Sequence, residues 1–196
     1  MEQKTQEKLL TAEEFYRLPN NGQVQELVAG RIVSEPVPSM EHGRVAAKIV
    51  ALLDNFISAR KLGLLFTCDS GFILARSPDT VRGPDISFVS TDRLRGAGPI
   101  KGYFSGPPDL AIEVLSPHDR PGEVRSKVAD YLAAGTPIVW VVDSAAETVT
   151  VYRSLLAPET LASDQELSGE DILPGFTLKV AELFECWPGP LDSGAT

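Results

Sequence analysis

Apolar residues recur along the chain in two periods, and the switches between those periods divide it into helices and strands. Between residues 42 and 61, Val45, Ile49, Leu52, Leu53, Phe56 and Ile57 return every three or four positions, while Arg44, Lys48, Asp54 and Arg60 occupy other faces. This spacing predicts one long amphipathic helix, with Gly63 suited to its C-terminal stop. A short helix is predicted after Thr11-Ala12-Glu13-Glu14, a capping-box pattern; Phe15 and Leu18 give it an apolar side and Pro19 ends it. A third helical face, Val124, Val128, Tyr131 and Leu132, covers residues 123–134 and closes at Gly135.

The period shortens elsewhere. Residues 25–36 (QELVAGRIVSEP) read as a hairpin bent at Gly30, with Glu26 at its leading edge. Residues 64–75 read as one strand broken by a turn or bulge at Asp69-Ser70-Gly71, followed by a polar loop over 77–83. Residues 85–89 and 110–115 are short β-rich runs joined by a glycine-rich, partly basic loop over 91–108, and they are expected to be neighbouring strands. After Pro137, IVWVVD has the β-branched content of a buried strand, and residues 148–153 supply another. ILPGFTLKVAELF predicts a small hairpin or loop plus a helical turn. The expected fold is therefore α/β, or mixed α+β, with a central mixed sheet flanked by helices. One domain is expected over residues 1–186, with 187–196 as a loose C-terminal tail.

Composition narrows the function. The 196 residues are 43% hydrophobic and 23% charged, ordinary for a globular protein, and the net charge of −9 excludes nucleic-acid binding by bulk electrostatics alone. Cys68 and Cys186 stand far apart without a partner at metal-ligand spacing, so neither a zinc site nor a disulfide framework is indicated and a cytoplasmic setting is expected. No signal peptide or membrane span is expected. A GxSxG elbow, a phosphate-binding glycine loop and an HExxH motif are all missing from the sequence.

Two acidic residues interrupt otherwise apolar strand patterns: Asp85 in GPDISFVS and Glu113 in PPDLAIEVLSP. An ionised carboxylate in a dry core costs several kcal/mol unless a counter-charge or metal meets it. Pro84 holds the chain extended before Asp85, which suits either ligand binding or a turn cap. Glu113 is flanked by Ala111, Ile112, Val114 and Leu115, and suits either a functional site or a buried salt bridge to an arginine. Two carboxylates about 4 Å apart repel by about 4 kcal/mol at an effective dielectric of 20, so a shared site needs a proton or a cation. Hard divalent ions such as Mg2+ or Mn2+ match carboxylate oxygens. Lys127 follows one strand-to-helix connection after Glu113; it either reaches back to the acids or pairs with Glu123 one helical turn earlier.

The ordered series Glu26-Leu27-Val28-Ala29-Gly30, His42, Pro84-Asp85-Ile86-Ser87-Phe88-Val89, Pro108 to Pro117 (PDLAIEVLSP), Lys127, Tyr131, Gly135 and Trp140-Val141-Val142-Asp143 resembles the Uma-type family of restriction endonucleases, within the PD-(D/E)XK nuclease superfamily. The likeness runs from about residue 11 to about residue 153. It implies that Asp85 and Glu113, helped by the backbone carbonyl of Val114, coordinate Mg2+ or Mn2+, with Glu26 as the upstream acid. The superfamily lysine usually follows the second acid by two positions; Leu115 stands there, and the family's relocated helix lysine matches Lys127. His42 also matches the pattern and is a lesser site candidate. His118, in the Ser-Pro-His-Asp-Arg turn, is read as loop rather than ligand.

The resulting expectation is a metal-dependent endonuclease cleaving DNA, with Asp85, Glu113 and Lys127 as catalytic residues and a homodimer as the form suited to cutting both strands of a duplex. The alternative is a nuclease-fold binding or interaction module without turnover. A basic rim formed by Arg76, Arg82, Arg93, Arg95, Lys101, Arg120 and Arg125 would favour the nuclease.

Overall fold

A computed structural model describes residues 8–185 apart from 20, 68, 69 and 118. The expectations for the tail over 187–196, for Cys68, Asp69 and Cys186, and for His118 lie outside the described residues. The chain opens with α1 (Ala12–Tyr16), whose N-cap Thr11 and Glu14 form the expected reciprocal capping box. The hairpin follows as β1 (Val24–Val28) and β2 (Arg31–Glu35), turned by Ala29 and Gly30 at positive φ, the two-residue bend that matches right-handed strand twist.

The long helix α2 (Met40–Arg60) is capped at its start by the Ser39 hydroxyl and ends on Lys61, whose φ of 55° makes it the left-handed cap. Gly63 is thus not the helix stop. It opens β3 (Gly63–Thr67), where a Cβ would lie 2.1 Å from the Val89 carbonyl oxygen; close strand approach, not a turn, requires glycine there.

Residues 64–75 do not form one interrupted strand. β3 is the edge of a six-stranded sheet, whereas β4 (Phe72–Ala75) belongs to a second, five-stranded sheet, so the polar break at residue 70 marks a change of sheet. The segment expected to be a polar loop contains β5 (Thr80–Arg82), three buried residues that pair with both β1 and β4. Next come β6 (Ile86–Ser90), α3 (Thr91–Ala97), β7 (Phe104–Ser105), β8 (Leu110–Val114), α4 (Pro121–Ala134), β9 (Ile138–Asp143) and β10 (Thr148–Tyr152). The loop expected over 91–108 therefore carries a helix and a short strand. The chain closes with β11 (Glu159–Leu161), a hairpin of β12 (Glu166–Ser168) and β13 (Thr177–Lys179), and a 3₁₀ turn over Val180–Leu183.

The six-stranded sheet runs β11-β10-β9-β8-β6-β3 and is mixed, with β8 and β9 parallel and its other neighbours antiparallel. The five-stranded sheet runs β2-β1-β5-β4-β7. Alternation along β8 explains the layers. Leu110, Ile112 and Val114 face α2, packing with Val45, Ile49, Leu53 and Ile57, while Ala111 faces Val128 and Tyr131 of α4. Fully burying each large aliphatic side chain contributes about 1.5–3 kcal/mol, so α2 is fixed mainly by its apolar stripe. The same alternation turns Glu113 toward α4. Among the described residues, no helix is long and apolar enough to cross a membrane.

Candidate active site

β6 and β8 pair antiparallel with Ile86 opposite Ile112, so one step beyond that pair Asp85 and Glu113 stand across from each other. Asp85 sits in the bend just before β6 rather than inside the strand. Its Oδ2 accepts the Val114 N–H at 2.7 Å, and its Oδ1 lies 3.2 Å from Nε2 of His42 in the first turn of α2. The other ring nitrogen of His42 is 3.2 Å from the Ser116 hydroxyl. The Asp85 hydrogen bond raises the His42 pKa against the opposing effect of burial, with Asp119 and the Val114 backbone adding to it. His42 is therefore biased toward the imidazolium form that ties α2 to Asp85.

Glu113 is buried. Tyr131, on α4, donates its hydroxyl hydrogen to Oε1 at 2.7 Å, and the Lys127 ammonium lies 3.5 Å from Oε2. Burial pushes Glu113 up to about 8; Asp85 and Glu26 push the same way, against Lys127 and the Tyr131 hydrogen bond. Lys127 does not pair with Glu123, which meets Arg120 instead. Its Nζ reaches Glu113 and Glu35 at 3.5 Å each and Glu26 at 3.9 Å. Burial disfavours its charge, yet Glu113, Glu26, Glu35 and Asp85 more than compensate and hold its pKa above the ordinary lysine value.

Glu26 has a buried counter-ion of its own. Arg82 donates to its Oε2 at 2.5 Å and to Asp130 Oδ2 at 2.9 and 2.7 Å, while Gly83 N–H donates to Glu26 Oε1 at 3.0 Å. Both Glu26 oxygens are thus engaged. Arg82 is 5% exposed, so it is an interior residue and not part of a basic rim. Of the other rim candidates, Arg76 pairs with Glu13 and Asp79, Arg93 with Asp109, Arg95 with Asp92 and Arg120 with Glu123.

Glu26, Glu35, His42, Asp85, Glu113, Val114 and Lys127 all line one cavity of about 910 Å³ between the two sheets, α2 and α4. Among the described residues on its wall, Lys127 is the one lysine or arginine. Glu35, Asp130, Ser116 and the hydroxyl of Tyr131 went unnoticed in the sequence as parts of this site. A signal for Glu35 existed: a two-residue turn at Ala29-Gly30 puts residue 35 on the same face of the hairpin as residue 26. Tyr131 and Asp130 follow Lys127 by four and three helical positions, hence share its side of α4.

The donor set tests well against a hard cation. Five carboxylates (Glu26, Glu35, Asp85, Glu113, Asp130) converge with two permanent cations, Arg82 and Lys127, and both Glu113 and Glu35 have raised pKa values. Unmet negative charge of this kind is relieved by a proton or a metal. Among the described residues no three His, Cys, Asp or Glu side chains form a cage. That is compatible with magnesium, which is commonly held by one or two carboxylates and completed by water and substrate oxygens.

A mixed sheet with acidic residues facing each other at the ends of adjacent antiparallel strands, met by a lysine from the next helix, places the chain among restriction endonuclease-like folds. Residues 12–181 match the model of the Uma2 family, described as "Putative restriction endonuclease", and the chain belongs to that family. It is also similar to a crystal structure described as a putative nuclease belonging to DUF820 from Anabaena variabilis. The TM-score is 0.79 at 25% identity, over 89% of this chain and 97% of that one. Among curated proteins nothing matches significantly.

Proposed function

We propose that the chain is a metal-dependent endonuclease that hydrolyses DNA phosphodiester bonds in the cytoplasm. Asp85, Glu113 and the Val114 carbonyl would hold Mg2+ or Mn2+, with Glu26 as the upstream acid that completes the site. When bound there, such an ion would lower the pKa of a water and stabilise charge on phosphoryl oxygens. Lys127, held protonated by Glu113, Glu26, Glu35 and Asp85, is a charge stabiliser and water-orienting group rather than a base. Tyr131 fixes the rotamer of Glu113, and His42 fixes Asp85. The observation that carries the reading is the convergence of Lys127 on Glu113, Glu35 and Glu26 in the cavity that Asp85 also lines.

The test is cleavage of plasmid and oligonucleotide substrates with magnesium and then manganese, comparing the native chain with Asp85→Ala, Glu113→Ala and Lys127→Met after circular dichroism has established folding. Metal-dependent cleavage by the native chain and its loss in all three variants supports the assignment; cleavage that survives Asp85→Ala and Glu113→Ala refutes it. A second reading, a nuclease-fold binding module without turnover, draws on the net charge of −9 and on a cavity wall with little positive charge. Inactivity of the folded native chain across a broad substrate panel would favour that module.

A further inference from the structure

We propose that the chain pairs with a second copy of itself through the edge strand β2, about a two-fold axis at Val33. β2 is the outermost strand of its sheet, and all of its residues are exposed except half-buried Glu35. In a hairpin closed by a two-residue turn, Val28 and Arg31 form the hydrogen-bonded pair next to the bend, so Arg31, Val33 and Glu35 direct their backbone groups at β1. Ile32 and Ser34 direct theirs outward. The charges Arg31 and Glu35 stand at the two ends of β2, its middle carries no charge, proline or bulge, and apolar side chains continue beyond it in Val37, 89% exposed, and Met40, 94% exposed.

The strand is complementary to itself. Antiparallel pairing centred on Val33 sets Ile32 against Ser34 of the second copy, where outward N–H and carbonyl groups match in both directions, and sets Arg31 against Glu35 of the second copy. Each copy thus meets two opposite-charge pairs and no like-charge pair. Shifting the register by one residue would face Arg31 with Ser34 or Pro36 and lose both ion pairs, so the charges select this register.

The pairing does not rest on the nuclease reading, although its consequence does. Arg31 and Glu35 lie on the hairpin face that carries Glu26, and Glu35 touches Lys127. The second copy would therefore bring a guanidinium to the mouth of a cavity whose described wall holds one lysine and no arginine, where it would share Glu35 with Lys127.

Sedimentation and light scattering of the 196-residue chain across a concentration series read the mass directly, with no need for activity. The expected result is a dimer of twice 21.1 kDa. Ile32→Pro removes only an outward N–H from each copy, two intermolecular bonds in all, and is expected to weaken the dimer about thirtyfold. Val33→Cys, in a chain with Cys68 and Cys186 changed to serine, is expected to cross-link under mild oxidation, since directly opposed residues of a non-hydrogen-bonded pair have Cα atoms about 4.5 Å apart. Ser34→Cys in the same background should not cross-link, because the two copies of that residue are offset along the strands. A monomer at every concentration overturns the proposal, as does a dimer indifferent to Ile32→Pro in which Val33→Cys stays reduced. Should Ile32→Pro fail to fold, the pair of cysteine variants still decides. Absence of metal-dependent cleavage from a chain that does pair would count against the nuclease alone.

Discussion

Replacing Arg82 by methionine removes the positive charge that two carboxylates share in the interior while keeping much of the apolar stem. Arg82 and Glu26 have side chains only 5% and 4% exposed, so water cannot take over the lost contact; Asp130, 30% exposed, can be rehydrated. Glu26 would retain the Gly83 N–H at 3.0 Å and Lys127 at 3.9 Å. Removing one partner of a buried pair typically costs about 3–5 kcal/mol because it strands the other charge. The lower half of that range is expected here, since Lys127 remains. For a protein of this length each kcal/mol moves Tm by about 2–4 °C, so a fall of about 6–16 °C is predicted in calorimetry, with a matching loss in urea titration. Glu26→Gln added to Arg82→Met should recover a large part of the loss, the coupling being read as a double-mutant cycle. Arg76→Ala serves as the contrast: its side chain is 47% exposed, its partner Asp79 keeps the Ala12 and Ser77 N–H donors, and the loss should be smaller than for Arg82→Met. A cost under about 1 kcal/mol for Arg82→Met, or a double variant as unstable as the single, would mean that Arg82 does not neutralise Glu26 in the interior.

Gly63→Ala would push a methyl to 2.1 Å from the Val89 carbonyl oxygen, and backbone displacement at the β3–β6 edge should cost about 1–3 kcal/mol in urea unfolding; Gly122→Ala, with open space around it, should be neutral or slightly stabilising. Because Glu113 is raised from 4.5 to about 8, the folded state holds the extra proton between those values, so the metal-free protein should lose stability as pH rises from about 4.5 through 8. Glu113→Gln should flatten that part of the stability profile, and an unchanged slope would refute the assignment. Tyr131→Phe removes a hydrogen bond that lowers the Glu113 pKa, so the falling part of the profile should begin at the same pH and level off at a higher one, with a stability loss of about 1–3 kcal/mol. Under the proposed function, magnesium should raise Tm of the native chain by mass action, and this gain should vanish in Asp85→Ala.

Elements whose own residues carry a strong period were legible. The α2 stripe, the capping box at Thr11, the hairpin turned at Ala29-Gly30 and the buried run of β9 all appear close to the expected positions, because local pattern and tertiary burial agree there. β5 was not legible: three residues among Ser, Pro, Asp and Gly carry no readable alternation, and they become a strand only because β1 and β4 present edges on either side. For the same reason Arg82 read as a surface residue. Its burial is a property of the sheet that closes around it, and the partners that make burial tolerable are 56 and 48 residues away in sequence. The opposition of Asp85 and Glu113 could be anticipated as neighbouring strands, but the antiparallel register that sets them across from each other is not written in either segment.

The place of the lysine follows from what α4 needs from the sheet. Residue 115 falls two positions after Glu113 and so projects toward α4, where Leu115, like Val124 and Leu132, packs against the apolar cluster that includes Val128 and Tyr131. A lysine at 115 would have to leave that cluster to keep its charge in water or lie along it with its ammonium among buried carboxylates. Putting the ammonium on α4 instead lets Leu115 anchor the helix, and the anchored helix delivers Lys127 and Tyr131, one turn apart, to opposite oxygens of Glu113. Packing and charge placement are then coupled: loosening Leu115 would move both groups that define the Glu113 carboxylate. A lysine reached through a helix also meets carboxylates from a second sheet, Glu26 and Glu35 of the hairpin, which ties the two sheets together through one ammonium. The relocated lysine is accordingly a joint of the fold as well as a group in the cavity. Its removal should show in the relative stability of the hairpin by hydrogen exchange, whatever it does to activity.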